Sequence, residues 1–143
     1  MLVRLGLKQY ETRSWKTGFR GRLLIHASKT NDYVTMLSRG YFAEHIKRAK
    51  ELRPGYANLH PAIHPGHVVA TAILADCRPT AIVAREVDEH ERAFGDYTPG
   101  RFAWHLTEVR PLPHPIKCRG MQGLWLPSPE LVQQVEAQIA RAS

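Results

Sequence analysis

Proline placement restricts the fold of this chain more than any other feature. Three prolines fall within residues 54–67 (Pro54, Pro61, Pro65) and three more within 111–115 (Pro111, Pro113, Pro115). Proline lacks the backbone N–H and is excluded from helix interiors and central ladders, so each cluster ends whatever precedes it. What remains is a set of short strand-like runs separated by one or two helices, with lengths that do not suit regular βαβ crossovers. The expected class is α+β, built on a small, mostly antiparallel β-barrel with flanking helices. No repeat or linker divides residues 1–143, and one domain is expected. A chain of 143 residues buries roughly 70% of its unfolded surface and needs neither metal nor disulfide to fold.

The runs can be placed individually. Leu2, Val3, Leu5 and Leu7 read as the end of a short helix, with Gly6 near its C-terminus. Residues 9–15 and 22–27 read as strands, the second apolar enough for burial on both faces. Asn31 or Asp32 can cap a helix running to about Arg53, kinked or broken at Gly40. Residues 67–77 read as a strand, 83–93 as a short acidic helix, and 101–109 as a strand ended by Pro111, Pro113 and Pro115. Ser128 followed by Pro129 is a cap and first-turn signature, and the helix it opens carries Leu131, Val135 and Ile139 on one face.

Charge is distributed unevenly. The formal charge is +7, yet residues 1–30 alone hold seven basic side chains (Arg4, Lys8, Arg13, Lys16, Arg20, Arg22, Lys29) against Glu11. A concentration of this kind attracts phosphate, which makes nucleic acid or a nucleotide a candidate partner class, beside the plain alternative of a basic surface that keeps a small protein soluble. No apolar run approaches the ~18 residues of a membrane span, and two cysteines are too few for a disulfide framework. A cytoplasmic setting without a membrane is expected.

The chemistry concentrates in Gly6–Trp15 (GLKQYETRSW), which matches G-x-K-x-x-E-x-R at Gly6, Lys8, Glu11 and Arg13. On a strand Glu11, Arg13 and Trp15 share one face and Tyr10, Thr12 and Ser14 the other. Lys8 has the wrong parity to join Glu11 on a regular strand. It converges only from a turn before the strand, which Gly6 makes easy. An ammonium and a guanidinium oriented by one carboxylate can hold a phosphate or a polar base edge. The competing account is an exposed Glu11–Arg13 pair worth under ~1 kcal/mol.

This stretch resembles the signature of the ASCH family (activating signal cointegrator homology), whose fold is PUA-like. Three further segments resemble the family in order: RLLIHAS (Arg22–Ser28) its second strand, HVVATAILADC (His67–Cys77) its central strand, and Gly100–Trp125 its C-terminal hairpin. The resemblance implies a cleft beside the signature strand that binds RNA or modified nucleosides. Carried over by position, Gly6, Lys8, Glu11 and Arg13 are the signature residues, and His26, Ser28, Arg101, Trp104, Arg119 and Gln122 are further contributors to the cleft. Some small members hydrolyse N(4)-acetylcytidine and a ribonuclease activity also occurs, so an alternative is a hydrolase with Lys8 and Glu11 as its catalytic pair. Two departures stand out. The resemblance begins part-way through the helix that leads into the signature, so either the start has been clipped or one wall of the barrel is lost, and an open strand edge would invite a second copy. Glu11 stands where the hydrolases carry threonine. Asp76 and Glu86 are candidates for the hydrolases' remote glutamate.

Other constellations carry less weight. His60, His64 and His67 have metal-ligand residue types, but a solvated loop is the better account, and no metal or cofactor is expected. Cys77 and Cys118 each precede an arginine without a Cys–His arrangement and read as bystander thiols. Trp125, flanked by apolar residues, reads as core, and Trp15 as the tryptophan exposed for stacking. The acidic run Glu86–Glu91 reads as a solvated face.

Overall fold

The computed structural model describes residues 2–29 and 64–142 and, between them, Glu44 and Lys47. Apart from Glu44 and Lys47, both helical, the helix expected from Asn31 or Asp32 to Arg53 lies outside the described residues, as do most of the 54–67 loop and His60. Four strands form one antiparallel sheet: β1 (Tyr10–Arg13), β2 (Gly21–Ala27), β3 (His67–Pro79) and β4 (Phe102–Lys117). Their spatial order is β1-β4-β3-β2, which places β1 and β2 at the edges among the described strands. Helices α1 (Thr80–Val83), α2 (Glu89–Ala93) and α3 (Pro129–Ala142) complete an α+β fold. Among the described residues no helix is long and apolar enough to cross a membrane.

The chain enters the sheet through a tight cap. Gly6 N–H donates to Val3 O (2.9 Å) and Leu7 N–H to Leu2 O (3.0 Å), and Gly6 has φ 65°. This pair of bonds around a left-handed glycine is the Schellman ending of a helical turn. It reverses the chain so that Val3 packs against Ala72, Leu74, Trp104 and Leu106 while Lys8 is delivered just ahead of β1.

Two strand expectations need correction. β2 is half-buried along most of its length, not enclosed on both faces, because it is an edge strand. β4 continues through Pro111, Pro113 and Pro115 to Lys117. Pro111 opposes Ala70 and Ile116 opposes Val68, so β4 bulges past two steps of β3 with five of its own. Prolines are tolerated within such a bulge because no ladder N–H is required of them. The His114 N–H and C=O left over are taken by the Gln138 side chain of α3, at 3.0 and 2.8 Å. Gln138→Ala is therefore expected to cost about 1 kcal/mol, two solvent-exposed bonds at the low end of their usual worth, measurable by urea unfolding.

The acidic segment also differs from expectation. It forms two short helices, α1 and α2, separated by a turn. α3 starts as its cap predicts: Ser128 Oγ accepts from Leu131 N–H at 3.2 Å. Its Leu131 and Val135 are buried with Val68 and Leu112, and Ile139 packs beside them.

Candidate functional site

β1 places its residues with the expected parity. Tyr10 and Thr12 are buried, while Glu11 is half-buried and Arg13 exposed on the opposite face. Tyr10 stacks on His105, its partner across the ladder, with ring centroids 4.7 Å apart. Glu11 lies opposite Trp104 and Arg13 opposite Phe102, so each charged side chain has an aromatic neighbour beside it on the same face of the sheet. β1 is shorter than expected, ending at Arg13, and Ser14 and Trp15 follow in a bend.

Lys8 precedes the strand and folds back. Its Nζ donates to Glu11 Oε2 at 3.0 Å, and Arg13 Nη2 lies 3.2 Å from Glu11 Oε1. One carboxylate therefore holds a cation on each oxygen. The Lys8 side chain is only 12% exposed and that of Arg13 53%, so one cation is shielded and the other open to solvent. An ammonium has three N–H donors and a guanidinium five, so both keep donors for an incoming anion.

Glu91 is the residue that sequence reasoning misplaced. It is buried, not part of a solvated face. Its carboxylate accepts from the Gln9 N–H through Oε2 and the Tyr10 N–H through Oε1, both at 2.9 Å. Burial raises its pKa, opposed by those two donors and by Lys8 nearby. Asp88 caps α2 by accepting from Glu91 N–H at 2.8 Å, so D-x-x-E is a capping-box spacing. In a complete box the glutamate would reach back to its own helix. Here it crosses to the start of β1 and fixes the strand that carries the signature.

Trp15 is 38% exposed and meets the buried Trp104 edge to face, with centroids 4.6 Å apart. The Trp104 Nε1–H donates to the Trp15 carbonyl at 3.4 Å. Trp104 thus belongs to the core beneath the site and does not line its surface. The segment 118–126 comes near both Trp15 and His26. A side chain built at Gly123 would begin 3.9 Å from Trp15 Cζ2. His26 Nε2 lies 3.2 Å from Cys118 O, and a methyl at Gly120 would fall 2.5 Å from the His26 ring. Arg119 and Gln122 are exposed on this segment.

Not every expected contributor joins. Arg101 lies 3.2 Å from the Asp96 carboxylate and donates to Thr12 O at 3.4 Å, so it braces the turn before β4. His26 and the exposed Ser28 sit at the end of β2 and just beyond it, the opposite edge from β1. Of the two remote acids considered, Asp76 pairs with Arg20 and Arg78, and Glu86 pairs with Arg78 at 2.7 Å. Cys77 is buried, and burial pushes the Cys118 thiol up. Trp125 packs partly buried beside the α3 core. His64 and His67 have ring centroids 5.9 Å apart, and among the described residues no group of three His, Cys, Asp or Glu is placed to hold a metal ion.

No curated protein matches the chain. The family model described as the ASCH domain matches residues 1–116. That span holds the signature, β1 to β3 and all of β4 but its last residue, while α3 lies beyond it. With most of its length matched, the chain belongs to the ASCH domain family, a family of PUA-like RNA-binding domains.

Proposed function

We propose that this protein binds RNA through Lys8, Glu11 and Arg13, with Trp15, Arg119 and Gln122 flanking them. The observation that carries the reading is the convergence of Lys8 and Arg13 on the two oxygens of Glu11. Phosphate binding needs cationic donors held in place, and a carboxylate between them supplies that order while leaving the group net positive. The basic N-terminal stretch surrounds this centre with further positive charge.

Titrating a fluorescently labelled single-stranded RNA at two salt concentrations tests the proposal. Wild type should lose affinity steeply as salt rises. Lys8→Ala should weaken binding about tenfold at low salt and reduce the log–log salt slope by about one, as loss of a phosphate contact does. Salt-insensitive binding, or equal affinity for both proteins, contradicts it.

A hydrolase acting on N(4)-acetylcytidine is the second reading, and the shielded Lys8–Glu11 pair is the feature that favours it. In this reading Glu11 takes a proton from water and the water oxygen bonds to the acetyl carbon. The bond to N4 then breaks, and the proton returns to N4 to release cytidine and acetate. Chromatography of acetylcytidine incubated with wild type should then show cytidine, and Glu11→Gln should show none. Wild type that is folded yet produces no cytidine removes this reading.

A further inference from the structure

Two stretches of the chain contain no acidic residue. Residues 12–31 carry Arg13, Lys16, Arg20, Arg22 and Lys29, and residues 109–129 carry Arg110, Lys117 and Arg119. The fold brings the two together, through His26 at Cys118 and Gly120 and through Trp15 at Gly123. Arg20 and Arg22 are neutralised by Asp76 and Glu136. Lys16 and Arg119 form no ion pair among the described residues. Beside these cations the surface is apolar: Trp15, Met121 and Leu124 are 38%, 60% and 42% exposed.

An apolar, aromatic patch flanked by the cations Lys16 and Arg119, neither in an ion pair among the described residues, is unusual for a surface that meets only water. It matches a nucleobase flanked by phosphates, since bases stack on aromatic faces and phosphates seek the cations. The platform is also ordered in advance. Trp15 is held edge to face on Trp104, and its carbonyl takes the Trp104 N–H, so little freedom is lost when a base stacks. Base faces in a duplex are already stacked on each other and cannot use it.

We infer that Trp15 and the 118–126 segment seat an unpaired base of single-stranded RNA. Met121 and Leu124 lie against its edge, and Lys16 and Arg119 meet the neighbouring phosphates. This rests on the RNA-binding reading and narrows its ligand to single strands.

The test compares a labelled ten-nucleotide single-stranded RNA with the same sequence in a duplex, at low salt, by fluorescence anisotropy. Wild type should prefer the single strand at least tenfold. Trp15→Leu, which keeps apolar cover on Trp104 but loses the aromatic face, should weaken single-strand binding roughly five- to a hundredfold, the range for losing one stacked base. Trp15→Phe should restore most of it. The exposed double variant Met121→Glu/Leu124→Glu should weaken it without changing the circular dichroism spectrum. Single-strand affinity unchanged in Trp15→Leu, or a duplex bound equally well, overturns the inference. If Lys8→Ala still weakens binding in that case, the RNA reading survives alone. Absence of RNA binding by wild type overturns both.

Discussion

Glu91→Ala is expected to destabilise the protein by about 2–5 kcal/mol, because two backbone N–H groups lose their charged acceptor together and the buried one finds no water in exchange. Those donors, on Gln9 and Tyr10, open the strand that carries Glu11 and Arg13. The substitution should therefore disorder Lys8 and β1 before it unfolds the α3 side of the sheet. Hydrogen exchange would show faster exchange at residues 9–13 than at 131–139. Glu91→Gln keeps one good acceptor and should cost less than alanine. The pH dependence has a definite sign. Burial raises the Glu91 pKa above its ordinary 4.5, so the folded state holds this proton more tightly than the unfolded chain. Its contribution is greatest below about 4.5 and is lost as pH rises through the raised value. The penalty of Glu91→Gln relative to wild type should accordingly be smaller at pH 7 than at pH 4. A penalty that grows with pH, or an alanine variant as stable as wild type in urea, contradicts this account.

Trp104→Ala should have the other large effect, about 3–5 kcal/mol, as expected when a buried aromatic is truncated. Trp104 is 4% exposed and packs with Val3, Ala72, Leu74, Cys77 and Leu106. It lies opposite Glu11 in β1 and Cys77 in β3, so the cavity would open beside the signature strand. A fall in Tm of roughly 10 °C or more is expected for a domain of this size. Trp15 would lose both its edge-to-face partner and the N–H bonded to its carbonyl, so RNA affinity should drop further than core loss alone explains. Trp104→Phe retains much of the volume and should cost less. Calorimetry that finds less than 1 kcal/mol for the alanine variant would mean the indole is not part of the core.

The signature was legible in the sequence because strand parity is strict. Alternation alone separates Glu11 and Arg13 from Tyr10 and Thr12, and the same rule required Lys8 to arrive from a turn. Gly6 supplies that turn with φ 65°. The Ser128–Pro129 helix start was legible for a similar reason, since a cap acts on its own neighbours. What escaped reading depends on partners distant in the chain. β4 survives its prolines only because β3 tolerates a bulge there and Gln138 satisfies His114. Glu91 sits in an acidic run that resembles any solvated face. The D-x-x-E spacing from Asp88 marks the helix start, but nothing local reveals that the carboxylate turns to Gln9 and Tyr10, more than 80 residues away.

The central claim is that Lys8, Glu11 and Arg13 act as one anion-facing centre. Isotope-edited NMR of the full chain during titration with a single-stranded RNA tests it most directly. The account predicts that the backbone signals of residues 8–15 and the Trp15 indole shift together along one binding curve, while the exposed face of α3 stays still. Shifts confined to α3 or to the Arg78–Glu86 region, with residues 8–15 unmoved, would contradict it.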